Sequence, residues 1–312
     1  MKPELLLVEP MTPLIEARLD ADYTVIRLFA PEGRAAAEAA RPSIRAVVTG
    51  GGTGIGPDWI EAMPRLGIVA INGVGTDKVD LALARSRGVD VTTTPGTLTD
   101  DVADMGLALI LAALRRIVEG DAFVRAGRWA AREKFPLGAS LKGKRLGVLG
   151  LGQIGRALAA RCEACGMKPR YWSRSVVEGV AWPRLEDAVA LAADSDVLAI
   201  CVAANAQTKG MVDAEVLAAL GPTGVLVNVA RGSVVDEPAL IAALAEGRLA
   251  GAGLDVFAEE PKVPQALIDM PHVTLLPHIG SATIETRTAM GLLAADNLVA
   301  WFAGAPLPSR VA

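Results

Sequence analysis

Residues 145–155, Arg-Leu-Gly-Val-Leu-Gly-Leu-Gly-Gln-Ile-Gly, decide the fold of the 312-residue chain around them. They begin with a short apolar run at 146–149 that leads directly into Gly150-x-Gly152-x-x-Gly155. A helical pattern then follows over residues 156–165. An apolar run, a glycine cluster and a helical segment in this order predict a strand, a tight turn and a helix.

Each glycine of this turn suits the binding of a dinucleotide. Gly150 permits the tight turn, Gly152 lets the backbone approach a pyrophosphate, and Gly155 lets the helix pack close to the strand. The free N–H groups of Gln153 and Ile154 would face the phosphates, with the positive end of the helix dipole behind them. A glycine turn without a ligand is the alternative for the bare motif, but the flanking strand and helix favour a cofactor site.

The end of the next strand pattern, residues 169–172, bears on the choice of cofactor. It is followed by Ser173-Arg174-Ser175. Proteins that bind NAD place an acidic side chain against the ribose hydroxyls about 20 residues after the glycines, and no carboxylate stands here. A guanidinium between two hydroxyls suits a 2′-phosphate, which accepts bidentate charge-assisted hydrogen bonds. The sequence predicts NADPH as the preferred cofactor and NADH as the second candidate, with a solvated loop arginine as the alternative.

Length, charge and hydropathy exclude several classes of protein. A chain of 312 residues is long enough for two domains, each with its own core. The net charge of -4 and a pI near 5.4 argue against a nucleic-acid partner. The longest apolar run, residues 105–114, is too short to span a bilayer, and the N-terminus lacks the apolar stretch of a signal peptide. We therefore expect a cytoplasmic protein without a membrane partner.

The three cysteines, Cys162, Cys165 and Cys201, indicate neither a redox pair nor a metal site. Cys162 and Cys165 lie late in the helix after the glycine turn, away from the helix N-terminus that would stabilise a thiolate. A zinc site would need four ligands, and the third cysteine is distant in sequence. The sequence predicts ordinary buried thiols and no bound metal.

Strand and helix patterns alternate on both sides of the glycine turn. Over the first hundred residues this alternation predicts a parallel sheet covered by helices. After the turn, further strands are predicted at 197–202, 224–229, 251–255 and 273–276. Between these halves, Thr97 or Thr99 is expected to begin one long helix that runs to about Arg125. Its middle, residues 105–114, is apolar on every face, which predicts burial in the core or against a second subunit.

Two glycine-rich loops follow predicted strands in the first hundred residues. Residues 49–56, Thr-Gly-Gly-Gly-Thr-Gly-Ile-Gly, resemble the cofactor turn of short-chain dehydrogenases, but the Tyr-x-x-x-Lys pair of that family is missing. We interpret Gly50–Gly52 either as a loop that leaves space for a ligand or as a plain turn. In the second loop, residues 72–77, two glycines let successive backbone N–H groups form a carboxylate cradle.

Three residues with acid, base or cationic side chains follow neighbouring predicted strands near the C-terminus. Arg231 follows the strand at 225–229, Glu260 follows the strand at 253–257, and His278 follows the strand at 273–276. Because the carboxyl ends of parallel strands meet at one edge of a sheet, these side chains should converge there. Surface ion pairs or a satisfied histidine would explain each residue singly, but three at one edge after a cofactor motif favour an active site.

This trio fits hydride transfer to a carbonyl. The carbonyl oxygen becomes negatively charged and must be protonated, and a histidinium such as His278 can supply the proton. A neighbouring carboxylate, Glu260, favours the charged form of the imidazole. Arg231 would hold both the carboxylate and the carbonyl oxygen of the substrate near the cofactor.

Longer stretches around the trio resemble the D-isomer-specific 2-hydroxyacid dehydrogenases. The resemblance rests on three segments, which are Val229-Ala230-Arg231-Gly232, the run 253–261 Gly-Leu-Asp-Val-Phe-Ala-Glu-Glu-Pro, and the run 276–281 Leu-Pro-His-Ile-Gly-Ser. It covers nearly the whole chain and is strongest for the branch of hydroxypyruvate, glyoxylate and hydroxyphenylpyruvate reductases. It implies that Arg231 binds substrate, Glu260 orients the base and His278 donates the proton.

The resemblance also implies an architecture and further site residues. An α/β fold of two doubly wound domains is expected, with a Rossmann cofactor domain at 99–284 inserted in a flavodoxin-like substrate domain at 1–98 and 285–312. The protein is expected to be a homodimer. Val74 and Gly75 would present their backbone to the substrate carboxylate. The nicotinamide side would be lined by Val202, Val229, Ala230, Arg231 and Asp255.

These inferences predict a reductase of small 2-oxo acids that prefers NADPH and yields D-2-hydroxy acids. Glyoxylate, hydroxypyruvate and aryl pyruvates are the expected substrates. From a different functional class, a dinucleotide-sensing corepressor or scaffold is the alternative, because this family includes one that keeps the same trio.

Overall fold

The computed structural model describes residues 2–312 and divides into two compact units. One unit combines the chain up to Leu98 with Ser281–Ala312, and the other is Thr99–Gly280. Each unit contains one parallel sheet with its own helices.

The first unit is built on a five-stranded parallel sheet in the order β2-β1-β3-β4-β5. Its strands are β1 Glu4–Leu7, β2 Thr24–Arg27, β3 Ile44–Gly50, β4 Ile68–Asn72 and β5 Asp90–Thr92. Its helices are α1 Pro13–Asp22, α2 Gly33–Ala40, α3 Pro57–Ala62, α4 Leu81–Ser86 and a C-terminal helix, Ile284–Phe302.

Alternating side chains of these strands fill two cores, one on each face of the sheet. On β1, Leu6 packs in the core that contains Trp59 and Ile60 of α3. Leu5 and Leu7 pack on the opposite face, in the core that contains residues of α1 and of the C-terminal helix. Both faces of a parallel sheet must be covered, and here the first face is covered by α2–α4 and the second by α1 and the C-terminal helix.

The second unit is built on a six-stranded parallel sheet in the order β11-β10-β9-β8-β6-β7. Its strands are β6 Arg145–Leu149, β7 Lys168–Trp172, β8 Val197–Ile200, β9 Val225–Asn228, β10 Gly251–Leu254 and β11 Val273–Leu275. Its helices are α5 Thr99–Arg115, α6 Ile117–Arg125, α7 Gln153–Ala164, α8 Ala188–Ala193, α9 Ala214–Leu220, α10 Glu237–Ala245 and α11 Gln265–Ile268. The strand order reverses between β6 and β8, which is the position where doubly wound sheets bind ligands.

The prediction of one long helix over residues 99–125 is wrong, because two helices cover this range. It is interrupted at Arg116, whose φ of 54° is left-handed, so that α5 ends at Arg115 and α6 begins at Ile117. The left-handed residue breaks the run of helical dihedrals, and no glycine or proline at this position indicates a break in the sequence. In its middle, Leu109 and Ile110 are buried within the chain, whereas Ala108 is exposed, so that burial of this face would require a second subunit.

The prediction of three buried thiols is right for Cys162 and wrong for Cys165. Cys162 is buried, and burial raises its pKa to about 12, whereas Cys165 at the end of α7 is exposed. Cys201 is partly buried. Cys165 caps the C-terminus of the helix, where the buried stripe ends. Among residues 2–312, no group of His, Cys, Asp or Glu could hold a metal ion.

Candidate active site

In the glycine turn between β6 and α7, Gly150 and Gly155 are closely surrounded by other atoms, whereas Gly152 faces open space. Gly150 has a φ of 101°, and a Cβ there would lie 2.6 Å from the Val202 nitrogen. A Cβ on Gly155 would overlap the Gly150 carbonyl oxygen, so Gly155 permits the close approach of helix and strand. A Cβ on Gly152 would meet no atom within 4 Å. Gly152 therefore leaves space in front of the helix.

That space has the character of a phosphate site. Gly152 is the N-cap of the 12-residue helix α7, and no side chain caps the helix. The N–H groups of Gln153 and Ile154 begin the helix, and its first turn contains no acidic residue. Unsatisfied N–H groups and the helix dipole both attract an anion at such an end. The residues present thus fit the pyrophosphate of a dinucleotide.

The loop after β7 presents an exposed cation. Arg174 is exposed and makes no ion pair with residues 2–312. The loop has internal support, because the Ser173 hydroxyl donates to the Ser175 carbonyl oxygen over 2.5 Å. Arg184 donates from Nε and Nη2 to the Ser173 carbonyl oxygen at 3.2 and 2.8 Å. Sequence reasoning missed Arg184, because this contact joins residues 11 positions apart.

The predicted trio follows three adjacent strands of the second unit. Arg231 lies after β9, directly before a short 3₁₀ helix at Gly232–Val234. The Asn228 side chain fixes this turn, since it accepts from the Ala230 N–H at 3.0 Å and donates to the Arg231 carbonyl oxygen at 2.9 Å. Sequence reasoning also missed Asn228, although an asparagine at the end of a buried strand is a recognisable turn signal.

Glu260 and His278 are in direct contact. His278 Nδ1 lies 2.7 Å from Glu260 Oε2, and Glu260 Oε1 accepts from the Phe257 N–H at 3.0 Å. Burial alone would raise the pKa of Glu260. The hydrogen bonds from His278 and Phe257 and the positive charges of His278 and Arg231 outweigh burial and hold that pKa below its ordinary value. Glu260 is therefore a carboxylate at neutral pH.

A buried carboxylate, Asp255, holds the loop that carries His278. Asp255 is only 2% exposed. Its Oδ1 accepts from the Ile279 N–H and its Oδ2 from the Gly280 N–H, both at 2.8 Å. His278, which lies between β11 and the N–H groups at 279 and 280, has a left-handed φ of 55°. Burial raises the pKa of Asp255, since it outweighs the two backbone hydrogen bonds and the attraction of His278.

The remaining predicted site residues are divided between the two units. Val202 follows β8 beside the glycine turn, and Val229 and Ala230 follow β9. Val74 and Gly75 belong to the first unit, in the loop after β4. Val74 is exposed.

The model of the NAD-binding domain of D-isomer-specific 2-hydroxyacid dehydrogenases matches residues 107–280. The chain belongs to this family. A 2-ketogluconate reductase from Gluconobacter oxydans is 44% identical over 96% of each chain. A hydroxyphenylpyruvate reductase from Plectranthus scutellarioides is 45% identical over 98% of each chain. An NADPH-dependent glyoxylate/hydroxypyruvate reductase from Sinorhizobium meliloti, solved with NADP and malonate, superposes with a TM-score of 0.94 at 41% identity, covering 100% of this chain and 97% of the other.

These similarities confirm the predicted family, the two α/β folds and the class of enzyme, an NAD(P)-dependent 2-hydroxyacid dehydrogenase or 2-oxoacid reductase. The corepressor or scaffold alternative gains no support, because the relatives carry the names of reductases. Over residues 2–312, no helix is long and apolar enough to cross a membrane.

Proposed function

We propose that this chain reduces small 2-oxo acids to D-2-hydroxy acids, with NADPH as the preferred hydride donor. The observation that carries the proposal is the 2.7 Å contact between His278 and Glu260, at the sheet edge that also carries Arg231. An imidazole that is held by a carboxylate and follows a strand of a dinucleotide-binding unit is suited to give a proton to a reduced carbonyl. The reductase names of the relatives support the same chemistry.

In this mechanism the bound cofactor supplies the hydride, and the residues of the chain supply orientation and the proton. Glu260 holds Nδ1 of His278, and Nε2 makes no hydrogen bond with residues 2–312, so Nε2 can give the proton to the carbonyl oxygen. Arg231 binds the substrate carboxylate and carbonyl oxygen through its guanidinium. Through its hydrogen bond to Nδ1, Glu260 keeps the imidazole oriented while Nε2 gives up its proton.

The preference for NADPH rests on the loop after β7. Arg174 is exposed there and has no acidic neighbour bound to it, and Ser173 and Ser175 flank it. Such a loop accommodates a 2′-phosphate, whereas the acidic residue that would select NADH is absent from the sequence at 173–175. The similar Sinorhizobium meliloti reductase was solved with NADP, which supports this assignment.

Glyoxylate, hydroxypyruvate and aryl pyruvates are the proposed substrates, because relatives are named for reduction of glyoxylate, hydroxypyruvate and hydroxyphenylpyruvate. Val74 and Gly75 are proposed to present backbone N–H groups to the substrate carboxylate. The loop that contains them follows a strand and has glycines at 73 and 75, as a carboxylate cradle requires.

We also propose that the active form is a homodimer. Large apolar side chains are exposed in one stretch of the chain, namely Ile117, Val118, Val124, Trp129 and Leu137. Leu137 is 95% exposed and Trp129 is 70% exposed. Exposed apolar side chains concentrated in one segment are typical of an interface. The molar mass in solution, measured by light scattering, should be twice that of the 32.3 kDa chain.

The proposed reaction is tested by following the oxidation of NADPH and NADH separately with glyoxylate, hydroxypyruvate, pyruvate and hydroxyphenylpyruvate. We expect turnover with a lower KM for NADPH than for NADH. The product from hydroxypyruvate should be the D-enantiomer when it is resolved by chiral chromatography. Dinucleotide binding without turnover of any of these acids would contradict the proposal, and the L-enantiomer would contradict the assigned stereochemistry.

A further inference from the structure

The loop after β7 is held at both ends by arginines from other segments of the second unit. Arg156, in the first turn of α7, donates from Nη2 to the Glu178 carbonyl oxygen at 2.6 Å. Arg184 donates from Nε and Nη2 to the Ser173 carbonyl oxygen at 3.2 and 2.8 Å. Both acceptors are neutral backbone carbonyls, so these contacts fix the loop without pairing either cation with a negative charge.

Backbone pairing with β7 sets the position of Arg184. Tyr171, near the end of β7, forms an isolated parallel bridge with Arg184. The Tyr171 N–H donates to the Pro183 carbonyl oxygen at 2.9 Å, and the Leu185 N–H donates to the Tyr171 carbonyl oxygen at 2.8 Å. Because both its backbone and two of its guanidinium nitrogens are held, Arg184 loses little conformational entropy when it binds an anion.

Three guanidiniums at this loop have no carboxylate partner. Arg156, Arg174 and Arg184 are exposed and form no salt bridge with residues 2–312. By contrast, Arg145 and Arg161 of the same unit each form salt bridges with two aspartates. Arg184 also has one nitrogen, Nη1, that makes no hydrogen bond with the described part of the chain. It therefore retains both a charge and donors for a bound anion.

The charge of a 2′-phosphate exceeds what one arginine can neutralise. A phosphate monoester carries a charge of about -1.5 to -2 at pH 7 and offers three acceptor oxygens. Arg174 alone would leave part of that charge uncompensated. Arg184 is bound to the residue directly before Arg174, whereas Arg156 is bound further along the loop at Glu178. Arg184 is thus the better placed of the two to share the phosphate with Arg174.

We infer that Arg184 is a second guanidinium of the 2′-phosphate site and a determinant of the preference for NADPH. This inference rests on the proposed function, which assigns the loop to the 2′-phosphate through Arg174. Arg184 donates to the phosphate from Nη1, while Nε and Nη2 remain on the Ser173 carbonyl oxygen. Because NADH carries a hydroxyl in place of this phosphate, the contribution of Arg184 is specific to the phosphorylated cofactor.

The test compares the binding of adenosine 2′,5′-bisphosphate and adenosine 5′-monophosphate to the full chain by isothermal titration calorimetry. NADPH and NADH are titrated in the same way. In Arg184→Gln, the dissociation constants of the two 2′-phosphorylated ligands should rise about tenfold or more, because a hydrogen bond between charged groups is lost. Those of adenosine 5′-monophosphate and NADH should not change. Arg184→Lys keeps the charge but lacks the planar fork that reaches Ser173 and the phosphate together, so its loss should be intermediate.

Arg248→Gln is the matched control, because Arg248 is an exposed arginine of the same unit that precedes β10. It should leave all four constants unchanged. Equal losses for ligands with and without the 2′-phosphate would mean that Arg184 only supports the loop, and this outcome would overturn the inference. Unchanged constants in Arg184→Gln would overturn it as well.

Thermal unfolding identifies a variant that fails to fold, and if Arg184→Gln does not fold, the same comparison is made with Arg184→Lys. The wild type separates failure of this inference from failure of the proposed cofactor preference. A wild type that binds adenosine 2′,5′-bisphosphate no more tightly than adenosine 5′-monophosphate would contradict the preference for NADPH itself. A wild-type preference that persists undiminished in Arg184→Gln would contradict the role of Arg184 alone.

Discussion

His278 Nδ1 lies 2.7 Å from Glu260 Oε2, although 18 residues separate them in the chain. The two side chains meet because β10 and β11 are parallel neighbours, and the loops after them emerge at the same edge of the sheet. The Phe257 N–H holds the other carboxylate oxygen at 3.0 Å, so Glu260 cannot rotate without losing a second hydrogen bond. This arrangement leaves only Nε2 of the imidazole to act on a substrate.

Replacement of His278 by Gln should lower kcat for glyoxylate reduction by about 10² or more, because a positioned general acid contributes about 10² to 10⁴ in rate. The glutamine retains similar size and polarity, so dissociation of NADPH, measured by fluorescence titration, should not change. Retention of full activity would rule out His278 as the proton donor.

The lowered pKa of Glu260 also predicts a pH-dependent stability. A carboxyl whose folded pKa is below its unfolded value stabilises the fold fully above the unfolded value, here the ordinary 4.5, and loses this contribution as pH falls through the folded value. The free energy of unfolding of the wild type should thus fall more steeply below about pH 4.5 than that of Glu260→Gln. Urea titrations at several acidic pH values measure the difference between the two slopes.

Asp255 is expected to maintain the left-handed conformation of His278. In Asp255→Asn, one of the two N–H groups at 279 and 280 would face an amide NH₂ and lose its acceptor, which costs about 1–3 kcal/mol for a buried group. We expect a lower kcat for glyoxylate. Burial raises the pKa of Asp255 in the folded protein, so the free energy of unfolding of the wild type falls as pH rises through this raised pKa and Asp255 ionises. The stability deficit of Asp255→Asn against wild type should therefore shrink as pH rises; a deficit independent of pH would contradict the raised pKa.

The parts of the fold and site that could be predicted from sequence are those set by local patterns. The glycine turn can be recognised from the spacing of glycines in residues 150–155. The strands that precede Arg231 and His278 are short apolar runs, which sequence patterns also indicate. The carboxyl ends of parallel strands lie at one edge of the sheet, so the contact of Glu260 with His278 could be expected from the sequence alone.

The parts that could not be predicted depend on contacts between distant segments or on single backbone dihedrals. Arg116 takes a left-handed conformation although Arg115-Arg116 looks like an ordinary helical pair. Glu9 reaches Thr53 across 44 positions, and nothing in the sequence near Glu9 indicates its partner. The exposure of Cys165 depends on the position at which α7 ends. Periodicity in the sequence predicts the end of a helix only to within a few residues.

Arg174→Asp should reverse the cofactor preference. The change removes the proposed phosphate contact and adds repulsion, so the dissociation constant for NADPH should rise by at least about tenfold, while that for NADH should change little. Arg65→Asp, an exposed arginine of the first unit, makes the same change in charge and should affect neither constant. Unchanged NADPH affinity in Arg174→Asp would remove Arg174 from the cofactor site.

Alanine substitutions at Gly152 and Gly155 should separate cofactor binding from packing in the same turn. Gly152 has a φ of -77°, which alanine adopts freely, and its Cβ would meet only open space, so Gly152→Ala should fold with an unchanged Tm. The new methyl group would stand where the pyrophosphate must approach, and the affinity for NADPH should fall. Gly155→Ala would instead overlap the Gly150 carbonyl oxygen and should lower the Tm. Differential scanning calorimetry and NADPH titration of both variants measure these effects. A Gly152→Ala protein with wild-type NADPH affinity would show that the cofactor does not approach this backbone.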